Sequence, residues 1–156
     1  MRTKAGLVIA LAILAANGSG RDNAKSNITA VEGFNRKFVD YILKTDHAGM
    51  LAMWAEDGID LMPGEAPLLG KAAITAWLKD VERQGAGSLV SKEELEFHDL
   101  HVSGDWASEW ANEHQIVQRP GGPPIEGYGK LALVLHRERR GEWHIKQEMW
   151  NDSPPH

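Results

Sequence analysis

The stretch GEWHIKQEMWND, residues 141–152, decides how the rest of the chain is read. As an unbroken strand it places Trp143, Ile145, Gln147, Met149 and Asn151 on one face, and His144, Lys146, Glu148, Trp150 and Asp152 on the other. Each face then holds a tryptophan and several polar groups, a pattern that one dry and one wet face does not produce. The strand calls for cover on both sides.

Working outward from it, Arg140-Gly141 reads as a turn after a strand over 125–138, and the run RPGGPP (119–124) breaks that strand from another over 106–118. Gly104-Asp105 makes a further hairpin turn behind a strand over 89–103 that carries a bulge. Upstream of Gly87 the pattern is helical. Thr29 and Glu32 have the form of a capping box, and Val31, Phe34, Phe38, Tyr41 and Ile42 recur at helical spacing, which predicts a helix over 29–45. Asp46 caps a short second helix carrying Met50, Leu51 and Trp54, stopped by Gly58. IDLM (59–62) is a short strand, and Gly70 opens a third helix with Ile74, Trp77, Leu78 and Val81 on one side. Three N-terminal helices segregated from an antiparallel meander make the class α+β.

Composition narrows the function. The chain has 156 residues, no cysteine and a net charge of −5. No basic cluster offers a footprint for nucleic acid. Without thiols there is no disulfide, thiol nucleophile or thiolate metal site. His98 and His101, three apart in a strand, point to opposite faces, and no HExxH pattern occurs, so no metal site is expected. GEAPLLGKA (64–72) fails as a phosphate loop, because five residues separate its glycines, Ala72 stands where Ser or Thr would be, and Pro67 removes an N–H. No GxSxG motif anchors a hydrolase triad. Arg2 and Lys4, an apolar run over 5–16 and small residues after it have the layout of a secretory signal peptide over 1–20, cleaved after Gly18 or Gly20. Residues 21–27 are then a linker and 28–153 the folded domain. The apolar run is too short for a stable membrane anchor. The expected location is the bacterial periplasm or the medium.

Pairing the strands gathers the polar candidates. Across the Pro/Gly loop Glu109 falls near Val134 and Glu113 near Lys130; across the last turn Lys130 falls near Asn151 and Val134 near Gln147. One face then collects Ala107, Glu109, Ala111, Glu113, Lys130, Ala132, Gln147, Met149 and Asn151 under the helices, and convergent polar groups in apolar walls are a binding-site pattern. Leu131, Leu133, Leu135 and Trp150 share the other face. Either a second copy of the chain covers that face, or the sheet curls enough to bury it.

The stretch MWAEDGIDLMPGEAPLLGKAAITAWLKD resembles the front of SnoaL-like domains of the nuclear transport factor 2-like superfamily. GDWASEWA resembles the family's "gDxAyexG" strand, and GYGKLALVLHRERRGEWHIKQEMWN its final hairpin. The likeness spans residues 28–153, and the order and spacing of the motifs carry it. It implies a cone in which three helices wrap a strongly curved sheet with a pocket between them, with Trp143 and Met149 facing inward and Trp150 facing a homodimer partner across the outer sheet face. Members of the superfamily such as ketosteroid isomerase and polyketide cyclases move protons without cofactors, and the exported branch of unknown function matches best. Carried over residue by residue, Glu109 matches the "yexG" acid, although Ser108 replaces the aromatic and Ala111 the glycine. Lys130 matches the "Gk" lysine, Glu148 stands where the family often has Asp, and Asp60 lies on the early strand.

On that resemblance the expected function is a small-molecule pocket, with cofactor-independent proton transfer on a small apolar carbonyl or hydroxyl compound. Glu109 would be the general base, and Lys130 would steady developing negative charge. Gln147 and Asn151 would orient the ligand, Trp54, Met62 and Met149 would form walls, and Asp60 would add an acid. The alternatives are a non-catalytic ligand-binding protein and a protein-interaction module of the same fold.

Overall fold

The computed structural model describes residues 16–139 and 141–155, with side chains from residue 24. The leader expected over 1–20 lies outside the described residues up to position 15. Three helices, α1 (Ala16–Leu43), α2 (His47–Ala52) and α3 (Lys71–Gln84), accompany six strands: β1 (Trp54–Leu61), β2 (Leu68–Leu69), β3 (Leu89–Ser103), β4 (Trp106–Gln118), β5 (Ile125–Arg137) and β6 (Trp143–Asp152). The strands form one sheet in the order β2-β1-β6-β5-β4-β3. Every pairing is antiparallel except β1 beside β6. The sheet curls without closing, the helices fill its concave side, and the class is α+β.

Local chemistry accounts for the helices. Val31, Phe34, Asn35 and Phe38 give α1 one buried stripe. Asp46 caps α2 through Oδ1, which accepts from the Gly49 N–H at 2.9 Å. Ile74 and Leu78 bury the inner side of α3. The helix predicted from Thr29 starts much earlier, because nothing over 21–28 breaks it and Arg137 Nη1 on the sheet donates to Asn27 Oδ1 at 2.6 Å. The early strand is also longer than IDLM, and Gly58 lies within it rather than stopping α2. Only glycine fits there, since a Cβ would meet the Trp54 ring at 2.7 Å and the Ile145 carbonyl at 3.3 Å.

Trp143–Asp152 is one strand, but its alternation of faces is interrupted. Leu135 pairs with Ile145 and Val134 with Gln147, so Lys146 is an extra residue, a bulge. It re-aims the strand. Trp143 and Ile145 face inward before the bulge, and Glu148 and Trp150 face inward after it. Both tryptophans therefore reach the same side from positions of opposite parity. Gln147, Met149 and Asn151 turn outward, so the inward placement expected for Met149 and the outward one for Trp150 are both reversed.

The pairing of β4 with β5 differs from the expected register by one residue. Glu109 pairs with Leu133, Ala111 with Leu131, and Lys130 with Asn112. A one-residue slip exchanges faces. Leu131, Leu133 and Leu135 consequently lie inside, with Ala107, Ala111 and Ile145, in the core beneath the helices. The outer face carries Trp106, Trp110 and Met149 in their place, all substantially exposed. Among the described residues no helix is long and apolar enough to cross a membrane.

Candidate functional site

Register places the acids of the concave face. Asp60 of β1 pairs with Glu148 of β6, Glu148 with Leu133 of β5, and Leu133 with Glu109 of β4. These four form one cross-strand row, with strands spaced at roughly 4.8 Å. A second row holds Asp152, Gly129, Glu113 and Leu95, and beyond it Glu93 pairs with Gln115.

Each acid has a distinct setting. Glu109 is only 5% exposed, and its Oε2 accepts from Asn35 Nδ2 at 2.9 Å. Burial pushes its carboxyl up to about 7, against the lowering effect of that bond. Asp60 is 4% exposed and is raised by burial to about 6, opposed by a backbone hydrogen bond at Leu61. Glu148 is half-buried, and burial followed by repulsion from Asp60 and Glu113 raises it to about 8. Glu93 is buried and raised to about 8 by burial and then by Glu113, while Gln115 Nε2 donates to its Oε2 at 2.7 Å. Trp150 Nε1 donates to Glu113 Oε2 across Gly129, where a Cβ would lie 2.6 Å from both atoms. Glycine is needed there so that the indole can lie across the strand.

A groove of about 360 Å³ opens between α1 and β3, lined by Glu32, Asn35, Arg36, Val39, Leu95 and Phe97. Asn35 joins it to the acids, since it lines the groove and also holds Glu109. The arrangement offers an apolar cleft with a titratable carboxyl behind its floor. A carboxyl near 7 exchanges its proton at neutral pH, as a general acid or base must.

The residues expected at the site divide. Glu109 and Asp60 lie on the concave face, in one row. Trp54 is buried in the core, and Met62 follows the end of β1. Lys130, Gln147, Met149 and Asn151 lie on the outer face, across the sheet from Glu109. The structure does not bring Lys130 and Glu109 together. Asn35, Glu93 and Gln115 were not singled out. Asn35 was findable, because it is the polar member of an apolar helical stripe. Glu93 was not, since Ser91 is an extra residue in β3 and changes which side the strand's next residues face. Among the described residues no group of three or more His, Asp or Glu could hold a metal ion.

No family model matches the chain, and no curated protein does. Solved structures do. A ketosteroid isomerase-like protein from Erwinia carotovora atroseptica superposes with a TM-score of 0.70 at 16% identity, covering 81% of this chain and 96% of that one. An NTF2-like protein with a cystatin-like fold from Novosphingobium aromaticivorans gives 0.70 at 18% identity, covering 87% and 88%. ActVI-ORFA from Streptomyces coelicolor gives 0.69 at 18% identity, covering 82% and 98%. At these identities the likeness is one of architecture, and it agrees with the element order: the chain has the nuclear transport factor 2-like, SnoaL-like fold.

Proposed function

We propose that this chain binds a small molecule in the groove between α1 and β3 and moves a proton on it without a cofactor, with Glu109 as the acid–base group. One observation carries the reading: a buried carboxyl with a pKa near neutrality lies behind the floor of an apolar groove, held by the one amide, Asn35, that also lines it. Glu109 ionised accepts a proton from a carbon or hydroxyl, and Asn35 holds the carboxylate in one orientation. Asp60 and Glu148 form a second acid pair in the same row. Their displacements to about 6 and about 8 leave one ionised and one protonated at neutral pH, the division of roles that acid–base catalysis uses. The structural relatives, one of them a ketosteroid isomerase-like protein, support a fold that often binds small molecules. The substrate class in this reading is a small carbonyl or hydroxyl compound.

Two companion proposals concern setting. The N-terminal layout of basic, apolar and small residues supports export to the periplasm or medium after cleavage near Gly18–Gly20. Exposed Trp106, Trp110 and Met149 support a homodimer through the outer sheet face, since apolar groups of that size on one face favour a partner.

The direct test is hydrogen–deuterium exchange at carbon in D2O, followed by NMR, on a panel of small cyclic ketones and hydroxyketones with wild type and Glu109→Gln. Wild type should exchange a ligand's acidic C–H about 10²–10⁴-fold faster than the variant, with binding retained. Equal exchange by both proteins would remove Glu109 from the chemistry. Binding without exchange in either would leave a non-catalytic binding protein.

A further inference from the structure

The concave interior holds acids without counter-cations. Asp60, Glu93, Glu109, Glu113 and Glu148 all face it, and none of the five forms an ion pair among the described residues. Acids elsewhere do: Asp57 pairs with Lys146, Glu56 with Lys71, Glu94 with Lys92, and Glu126 with His114. The interior acids have neutral donors, namely the Asn35 and Gln115 amides, the Trp150 indole and a backbone hydrogen bond at Leu61, and Glu93 and Glu113 share a carboxyl–carboxyl hydrogen bond. These donors leave acceptors over. Asp60 Oδ1, Glu93 Oε1 and Glu109 Oε1 are buried with no hydrogen-bond partner.

A second observation comes from a residue that is not an acid. Asn35 is 7% exposed, lines the groove, and commits its Nδ2 to Glu109; its Oδ1 is left buried with no donor. Asn35 Oδ1 at the groove and Glu109 Oε1 behind it are therefore unmet acceptors in two chemically different groups. Unmet buried acceptors are unfavourable, and a donor arriving with a ligand relieves them. An ammonium supplies three donors and the missing positive charge together. A carboxylate or other pure acceptor would meet unmet acceptors at Asn35 and Glu109. The rim charges balance, with Glu32 one turn from Arg36, and the Arg36 Nη2 lies within 3.6 Å of where a Gly33 Cβ would sit on α1.

We propose that the groove between α1 and β3 takes a small apolar molecule bearing a protonated amine, whose ammonium meets Asn35 Oδ1 and Glu109 and whose body lies on Val39, Leu95 and Phe97. The proposal rests on the reading of this groove as the site of a small carbonyl or hydroxyl compound and adds a protonated amine to that compound. It has a proton linkage. Glu109 must be ionised to meet the ammonium, and burial holds its carboxyl up at about 7. Protons compete with the ligand below that pH, so affinity rises about tenfold per pH unit up to neutrality and then levels.

Benzylammonium, benzyl alcohol and benzoate share one ring and size and differ in head group. Calorimetry and thermal shift on the intact protein at pH 6, 7 and 8 should show benzylammonium binding most tightly, more tightly at pH 8 than at pH 6, with a proton released. Glu109→Gln should weaken it tenfold or more and abolish the pH dependence. Asn35→Leu serves as the second variant should Glu109→Gln fail to fold, and it should also lower benzylammonium affinity by removing the unmet Oδ1. If benzyl alcohol or benzoate binds wild type as tightly as benzylammonium, the amine class is wrong while the ligand site stands. If none of the three binds, the ligand reading of the groove falls with it.

Discussion

Glu109 and Gly129 are the residues on which the interior turns, for opposite reasons. Glu109 is a charge placed where charge is unfavourable. Its raised pKa means that the unfolded chain gives up this proton more readily than the folded one. Glu109→Gln keeps the shape and an oxygen for Asn35 and removes the penalty. The variant should match wild type in urea denaturation at pH 4, below the unfolded carboxyl pKa, and exceed it at pH 8 by about 1–3 kcal/mol. Equal midpoints at pH 8 would mean that the carboxylate is better solvated than its 5% exposure implies. Gly129 matters by lacking a Cβ. Gly129→Ala drives a methyl into the Trp150–Glu113 hydrogen bond from 2.6 Å, and should cost about 1–3 kcal/mol and shift Trp150 emission. An unchanged urea midpoint would dismiss that contact. Glu109 was legible as a candidate from its place in the strand pattern. Gly129 was legible only as part of a motif, because its role depends on an indole arriving from another strand.

At the scale of the element, β6 is the instructive one. Two tryptophans of opposite parity were the sequence's signal that something was unusual, and both a second cover and a curled sheet were open explanations. The bulge at Lys146 is the physical reason. It lets Trp143 and Trp150 both reach the core, and Lys146 itself is turned out to pair with Asp57. Deleting Lys146 restores strict alternation, so either Trp143 and Ile145 or Glu148 and Trp150 must leave the core. The deletion should abolish near-ultraviolet circular dichroism and cooperative unfolding, whereas Lys146→Ala, which keeps the extra residue, should lose under about 1 kcal/mol. A deletion that unfolds cooperatively with a native-like spectrum would remove the bulge from this account. The limits of β3, β4, β5 and β6 were readable to within a residue from turn residues and alternation. The register between β4 and β5 was not, because the Pro/Gly loop joining them does not specify how many residues it consumes.

For the whole molecule, four interior carboxyls, Asp60, Glu93, Glu109 and Glu148, have folded-state pKa values above their ordinary range. Each contributes stability that is complete below the unfolded carboxyl pKa and is lost as pH rises through about 6 to 8. The exposed pairs of Asp57 and Glu126, which act in the opposite direction, sit in solvent and contribute little. The urea midpoint should therefore fall continuously from pH 5 to pH 8, and a midpoint that rises over that window would contradict the burial of these acids. The outer face sets the second whole-molecule test. If it joins two copies, Trp110→Arg should convert a dimer to a monomer in light scattering; a wild type that is already monomeric sinks the proposed interface.

Turn residues, helical stripes and alternation are local, and through them the sequence by itself determined the order of the helices and long strands, the α+β class and the candidate acid Glu109, while the short β2 and the placing of Trp54 in β1 were missed. Tertiary structure decided which side each residue faces. A single extra residue at Lys146, another at Ser91 and a one-residue difference across the Pro/Gly loop each exchange inside for outside while leaving local propensity unchanged. Burial of Leu131, Leu133 and Leu135 beneath the helices settles the choice energetically. That same choice sends Lys130 outward and leaves the interior acids with no basic partner among the described residues.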